Sequence, residues 1–133
     1  MQRHTLVGND ILRESKSGLL QLAAEIAGSH HERWDGQGYP FRLAGDAIPL
    51  AGRIVAIADN FDALTTARPY KEAWSLQRTV DHIRARAGSQ FDPSCVRAFD
   101  AALLTIVSIM ATDGEAGSGG FGSDMIGLAK SAI

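Results

Sequence analysis

The chain has 133 residues, of which 45% are hydrophobic and 21% are charged, as in a single globular domain. Thirteen Lys and Arg against fifteen Asp and Glu give a net charge of −2, which argues against a nucleic-acid or anionic-membrane surface. Cys95 is the single cysteine, so an intrachain disulfide is excluded. No apolar run reaches the roughly 18 residues of a membrane span, and the N-terminus does not read as a secretory leader. We therefore expect a cytoplasmic domain with no membrane span.

Apolar residues recur at helical spacing in most of the chain. The predicted helices span residues 3–15, 17–31, 47–67, 76–87 and 93–110. Ser75 is a predicted N-cap, Gly88 a predicted C-terminal stop, and Asp92-Pro93 a cap followed by a first-turn proline. The sequence predicts an all-α helical bundle over residues 1–111 and a flexible Gly- and Ser-rich tail over residues 112–133.

The chain contains four histidines, two of them adjacent. His30 continues the apolar stripe of the second predicted helix, and His31 follows at its end, so both rings are expected to face inward. Adjacent inward imidazoles each need a hydrogen-bond partner or a metal ion, and the residues alone leave both interpretations open. His82 is expected to be structural or exposed, and His4 by itself indicates little.

The third predicted helix is apolar on most faces and carries Asp59. If Asp59 is buried, it needs a counter-charge, because an unpaired buried carboxylate is costly. The simpler interpretation is a salt bridge to an arginine such as Arg33 or Arg68, and the alternative is a metal ion. After this helix, Arg68 and Lys71 form either a phosphate-binding pair or cations placed at a helix C-terminus.

A turn-rich loop joins the His pair to that helix. Gly36 and Gly38 permit a positive φ or a close backbone approach, and Pro40 fixes the exit of the turn. Tyr39 is expected either to line a binding pocket or to cover the core.

These features resemble one known family. The chain contains, in order, the strings HHERWDGQGYP, RIVAIADNFDALTTARPYK and GSQFDP. They resemble the HD-GYP proteins, a branch of the HD-domain metal-dependent phosphohydrolases, and the first string holds the pattern HHExxDGxGYP intact. The resemblance runs from about residue 4 to residue 99. It implies an all-α domain that holds two or three iron or manganese ions and hydrolyses cyclic di-GMP.

The resemblance also implies a role for individual residues. The expected metal ligands are His4, His30, His31 and Asp59. The expected substrate pocket includes Gly38, Tyr39 and Pro40, and the GYP signature is also linked to recognition of a signalling partner domain. Arg68 and Lys71 are expected to hold the substrate phosphates and to act as the catalytic cations.

The chain departs from the family pattern in two places. It contains no His-Asp dipeptide, so the family's upstream HDxGK string is missing, and Arg42 stands where the family often has glycine. We expect the C-terminal two thirds of an HD-GYP domain, weak or inactive as a phosphodiesterase without the missing N-terminal HD half. The alternative is a degenerate, non-catalytic module for protein–protein interaction or nucleotide sensing. In either case an apolar surface is expected to be uncovered, and a homodimer would hide it.

Overall fold

A computed structural model of the chain describes residues 17–114. Its α-helices are α1 (Gly18–Ser29), α2 (Leu50–Thr65), α3 (Leu76–Ala85) and α4 (Pro93–Gly114), and a short 3-10 turn covers Gly45–Ala47. No β-strand occurs between residues 17 and 114, which confirms the all-α prediction. The predicted helix over residues 3–15, His4 and nearly all of the Gly-rich tail lie outside the described residues. Helix α4 continues past residue 110, and the domain boundary at residue 111 stays a prediction.

The two predicted N-caps are confirmed, but α3 ends at Ala85 with Arg86 as its C-cap, so the predicted stop at Gly88 lies in the turn after the helix. The Ser75 side chain accepts a hydrogen bond from the backbone N–H of Arg78 at 3.2 Å, at the start of α3. Gly88, just after α3, has a φ of 88°, a conformation that glycine adopts without a steric penalty. Asp92 accepts the backbone N–H of Ser94 at 2.8 Å and so caps the start of α4.

One helix begins later than its pattern predicts. Helix α2 starts at Leu50 rather than at residue 47, with Pro49 as its N-cap. Ile48, the residue before the proline, has an extended backbone with φ −77° and ψ 128°. A proline ring clashes with a helical residue before it, so the helix cannot begin earlier.

The core lies where α2, α3 and α4 meet. Its buried side chains are Ile57, Leu76, Val80, Ile83, Phe91, Val96, Phe99, Leu103 and Val107. Phe61 meets Phe99 edge to face, with ring centroids 5.6 Å apart. This core holds α2 against the two C-terminal helices, so the remaining faces of α2 are available to α1 and to the loop that follows it.

Helix α1 crosses α2 at a glycine. A Cβ added at Gly52 would overlap the side chain of Ser29. The hydroxyl of Ser29 itself donates to the carbonyl oxygen of Glu25 within α1. The close approach fixes the C-terminal end of α1, and with it the His pair, against the face of α2.

An ion pair joins the start of α2 to the start of α4. Arg53 Nη1 lies 2.7 Å from Asp92 Oδ2, and Arg53 Nε donates to the carbonyl oxygen of Ile48 at 2.9 Å. Burial alone would raise the pKa of Asp92, but the hydrogen bonds from Arg53 and Ser94 outweigh it and hold that pKa below its usual value. Burial and a hydrogen bond to Asp92 together raise the pKa of the Cys95 thiol to about 11.

Helix α4 is long and unusually apolar. Its segment Pro93–Thr112 has a mean hydropathy of 1.6, and by length and composition alone it is the one helix between residues 17 and 114 that is able to span a membrane. One side of α4 packs into the core through Phe99 and Leu103. Asp100 on the same helix pairs with Arg84 of α3, with 2.8 Å between Nε and Oδ1. These contacts place one face of α4 in the core, and 28% of the segment Pro93–Thr112 is buried.

Candidate active site

The His pair sits where α1 ends. His30 is the C-cap residue, and its ring Nδ1 lies 2.7 Å from the carbonyl oxygen of Ile26. A carbonyl oxygen only accepts hydrogen bonds, so a neutral His30 carries its proton on Nδ1 and its lone pair on Nε2. This is the arrangement by which a backbone carbonyl orients a metal-binding histidine. The rings of His30 and His31 are 4.1 Å apart between centroids.

The following loop folds back onto the second histidine. Tyr39 stacks on His31 with ring centroids 4.9 Å apart and an interplanar angle of 22°, and its backbone N–H donates to the carbonyl oxygen of His31 at 3.2 Å. Gly38 makes this contact feasible. A Cβ there would lie 2.6 Å from both the His31 carbonyl oxygen and the Cα of Glu32, so no other residue fits.

Glu32 holds the loop from inside. It is 4% exposed, and its two carboxylate oxygens accept the backbone N–H groups of Phe41, at 2.6 Å, and Leu43, at 3.0 Å. A buried carboxylate between two backbone donors forms charge-assisted hydrogen bonds, which are stronger than neutral ones. Glu32 therefore acts as the anchor of the loop that carries Gly38 and Tyr39.

A second set of contacts ties the loop to the turn between α3 and α4. The backbone N–H of Trp34 donates to the carbonyl oxygen of Gln90 at 3.1 Å, and that of Asp35 to Ser89 at 2.8 Å. Asp35 forms two hydrogen bonds with the guanidinium of Arg33, at 2.8 and 3.1 Å, which together with a backbone bond from Gln37 lower its pKa. The string GSQFDP thus contributes to the site through its backbone.

Arg42 shows why the family pattern favours glycine at its position. Its φ is 54°, in the left-handed region that side chains with a Cβ adopt at a cost. The loop has this left-handed backbone conformation even though the residue there is an arginine.

The loop and two helices enclose a cavity of about 410 Å³. Five of the predicted site residues line it: His30, His31, Gly38, Tyr39 and Asp59. The last of these comes from α2, on the other side of the cavity from the His pair. The two parts of the chain, separated by almost thirty residues, therefore face one space.

Asp59 differs from expectation in its surroundings. It is exposed, not buried, and it forms no salt bridge with Arg33 or Arg68 within the part of the chain that the structure describes. Arg33 pairs instead with Asp35. The salt-bridge interpretation was therefore wrong. The apolar pattern of α2 predicts many buried faces, but the cavity leaves this face open.

Comparisons with known proteins support one family. The sequence profile of the HD domain matches residues 1–95. The chain belongs to the HD-domain family. It is 52% identical over 98 residues to the cyclic di-GMP phosphodiesterase response regulator RpfG of Xanthomonas campestris, covering 74% of this chain and 26% of that protein. It is 51% identical over 96 residues to 3′3′-cGAMP-specific phosphodiesterase 2 of Vibrio cholerae, covering 72% and 18%.

A solved structure agrees with these relatives. The fold is similar to the crystal structure of a cyclic GMP-AMP-specific phosphodiesterase of Vibrio cholerae, with a TM-score of 0.63, 30% sequence identity, and coverage of 77% of this chain and 23% of that one. The predicted resemblance to the HD-GYP branch is confirmed. The HD-GYP chain spans about a quarter or less of the length of these relatives.

The donor set of this HD-GYP site fits a divalent transition metal in type. Two imidazoles and a carboxylate suit iron, manganese or zinc. In the described part of the chain, no group of three or more His, Cys, Asp or Glu side chains is close enough to hold an ion. His30, His31 and Asp59 share the cavity without converging on one point, and His4 lies outside the described residues. Metal ligation by these four residues remains a prediction.

The predicted phosphate-binding residues lie beside the HD-GYP cavity and do not line it. Arg68 and Lys71 exchange two backbone hydrogen bonds, at 2.8 and 3.0 Å, and so form a tight turn. Lys71 Nζ donates to the carbonyl oxygen of Ala63 at 3.0 Å, near the C-terminus of α2, where a cation is favourable. Ala63 lines the cavity, so Lys71 contacts a lining residue but does not line the cavity itself. Pro40 shapes the loop without lining the cavity.

Sequence reasoning missed several residues of the HD-GYP site. The lining also includes Glu32, Arg33, Gln37, Ala56, Asn60, Ala63 and Gln90. The one available signal was the place of Glu32, an acidic residue directly between the His pair and the Gly-rich loop. Its role depends on backbone groups 9 and 11 residues away, which no local pattern shows.

Proposed function

We propose that this HD-GYP domain belongs to a metal-dependent phosphodiesterase that hydrolyses a cyclic dinucleotide, cyclic di-GMP. The observation that carries the proposal is the cavity shared by His30, His31, Tyr39 and Asp59. The relatives support the substrate class, since they are phosphodiesterases of cyclic di-GMP or 3′3′-cGAMP.

The proposed ligands are His30, His31 and Asp59, with His4 as a fourth. When bound, an iron or manganese ion would act as a Lewis acid and lower the pKa of a bound water. The carbonyl of Ile26 holds the His30 ring in the tautomer that ligation needs. The exposed Asp59 carboxylate, free of an ion pair within residues 17–112, supplies the anionic donor.

The substrate contacts follow from the loop and the neighbouring turn. The ring of Tyr39 is held in place by His31 and Gly38, so one of its edges is available for contact. We assign Gly38, Tyr39 and Pro40 to substrate binding. Arg68 and Lys71 are the proposed catalytic cations, because positive groups near a phosphodiester offset charge that grows in the transition state. To reach the cavity, Lys71 exchanges the Ala63 carbonyl for a phosphate oxygen.

The experiment is a hydrolysis assay with manganese or ferrous iron under anaerobic conditions. The chain is tested alone and together with an N-terminal HD segment added in trans. We expect little or no cyclic di-GMP hydrolysis alone and measurable hydrolysis after the addition. His31→Ala serves as the inactive control. If the reconstituted protein binds metal but hydrolyses no cyclic dinucleotide, the proposal is wrong.

A second candidate function rests on a different surface. A groove of about 790 Å³ runs between α2 and α4, and Leu50 and Ile54 on its α2 side are each more than half exposed. Apolar surface of this extent favours a covering partner. We propose as the alternative a non-catalytic module for protein–protein interaction that dimerises through this groove. Sedimentation equilibrium tests it, because Ile54→Glu is expected to shift a dimer to monomer and Asp62→Lys to leave it unchanged.

A cytoplasmic location and a signalling partner domain complete the proposal. The name of the Xanthomonas relative, a response regulator, supports a role downstream of a signal. Fractionation of cells expressing the chain tests the location, and recovery in the membrane fraction would contradict it.

A further inference from the structure

A group of basic side chains surrounds Trp74, in the segment between α2 and α3. The guanidinium carbon of Arg78 lies 3.8 Å from the centroid of the indole ring, and Lys71 Nζ lies 5.9 Å from it. His82 meets the same ring edge to face at 5.1 Å, and Arg86 Nη1 is 3.1 Å from His82 Nδ1. We call these five residues the Trp74 cluster.

The Trp74 cluster contains three cations, on Lys71, Arg78 and Arg86, and no carboxylate. Within residues 17–112, none of its cations pairs with a carboxylate. Asp81, the acid on α3, accepts a hydrogen bond from the side chain of Gln77 at 3.0 Å and forms no ion pair within residues 17–112. Burial, followed by the charges of Arg86 and Arg78, lowers the pKa of His82. A neutral His82 accepts the hydrogen bond from Arg86 and adds no further repulsion.

The cluster is preorganised rather than a chance accumulation of cations. The backbone N–H of Trp74 donates to the carbonyl oxygen of Leu64 at 2.8 Å, which fixes the backbone of Trp74 at the end of α2. A guanidinium stacked on an indole face is held in one plane, and its N–H edges stay available for bidentate contact with an oxyanion. Arg78 is exposed, so those edges reach solvent.

We propose that the Trp74 cluster is an anion-binding surface that takes a phosphate group, with Arg78 as its main ligand and Arg86 as the second. Lys71 connects the surface to the cavity, since it contacts Trp74 on one side and the carbonyl of the cavity residue Ala63 on the other. The identification of the natural phosphate source as a phosphodiester of the cyclic dinucleotide rests on the proposed function. The binding of a phosphate group does not.

The test is a titration followed by the fluorescence of Trp74. Trp34→Phe leaves Trp74 as the single tryptophan, and isothermal titration calorimetry on the unmodified chain gives a second readout if that variant folds poorly. Inorganic phosphate and cyclic di-GMP are titrated separately with EDTA present and sodium chloride at constant ionic strength. The absence of metal separates this binding from hydrolysis.

Variants assign the binding to the cluster. We expect Arg78→Gln to weaken binding at least about fivefold and Arg78→Lys to weaken it less, because lysine keeps the charge but loses the bidentate fork. Arg97→Gln, which removes an exposed cation of α4, is the matched control and should bind as the parent chain does. Saturable binding of either probe with this ranking supports the proposal. No saturable response to either probe, or equal affinities of Arg78→Gln and Arg97→Gln, would overturn it.

Discussion

His31 and Tyr39 form one stacked unit, with ring centroids 4.9 Å apart and a backbone hydrogen bond of 3.2 Å between the same two residues. His31 is the second residue of the HHExxDGxGYP signature and lies just after α1, and Tyr39 is the middle residue of its GYP end. Their contact turns two sequence features into one wall of the cavity. A proposed metal ligand and a proposed substrate contact are therefore mechanically coupled, and changes in the loop are expected to affect both.

Gly38 should tolerate no side chain. We expect Gly38→Ala to lower the free energy of unfolding by about 2 kcal/mol, because the new Cβ would overlap the backbone of residues 31–33. Urea denaturation followed by circular dichroism measures the change. Gly18→Ala is the matched control, since a Cβ there meets nothing within 4 Å, and its stability should be unchanged or higher. Equal stability of Gly38→Ala and the parent chain would show that the loop does not pack as described.

Glu32 should be required as an anion. We expect Glu32→Gln to cost about 2 kcal/mol of stability, because an amide nitrogen would then face one of the two backbone donors of Phe41 and Leu43. Hydrogen exchange of those two amides gives a local readout, and both should exchange faster in the variant. Glu72→Gln, at an exposed position, should change neither quantity. Unchanged exchange at Phe41 and Leu43 would contradict the anchoring role.

Asp92 should make the free energy of unfolding fall at low pH. Its pKa in the folded state lies below the unfolded value of 3.8, so its contribution is present above about pH 4 and is lost as the pH falls through the folded pKa. We expect Asp92→Asn to cost about 3 kcal/mol near pH 7, since Arg53 loses its buried partner. The difference from the parent chain should shrink below pH 4.

The control for this prediction uses the same arginine. Asp46 lies 3.5 Å from Arg53 but is 91% exposed, so Asp46→Asn should have little effect at any pH. Urea unfolding at pH 3, 4, 5 and 7 provides the comparison. A gap between Asp92→Asn and the parent that stays constant from pH 7 to pH 3 would show that the carboxylate does not titrate as argued.

Local signals predicted the helices well. Ser75 and Asp92-Pro93 mark helix starts through the hydrogen bonds that each cap requires, and the structure has them at those places. Gly88, predicted to end α3, lies in the turn that follows the helix. The start of α2 was predicted three residues early, although Pro49 was recognised. The pattern of apolar residues does not reveal whether a helix begins before or after a proline.

The sequence predicted which residues line the site but not the burial and contacts of each one. The signature HHExxDGxGYP and the string RIVAIADNFDALTTARPYK together identified five of the residues that line the cavity. The exposure of Asp59 was not predictable, because periodicity describes the faces of a helix and not what covers each face. The positions of Arg68 and Lys71 beside the cavity depend on the backbone turn between them, and the Trp74 cluster depends on packing between that turn and α3.

Bound metal is the most direct test of the central claim that His30, His31 and Asp59 serve one cation. The chain is loaded anaerobically with manganese or ferrous iron, desalted, and analysed for metal content per chain. We expect the parent chain to retain metal, His31→Ala and Asp59→Ala to lose most of it, and Asp62→Ala, an exposed aspartate on the same helix outside the cavity lining, to retain it. A parent chain without metal, or His31→Ala and Asp59→Ala variants that hold as much as the parent, would contradict the account.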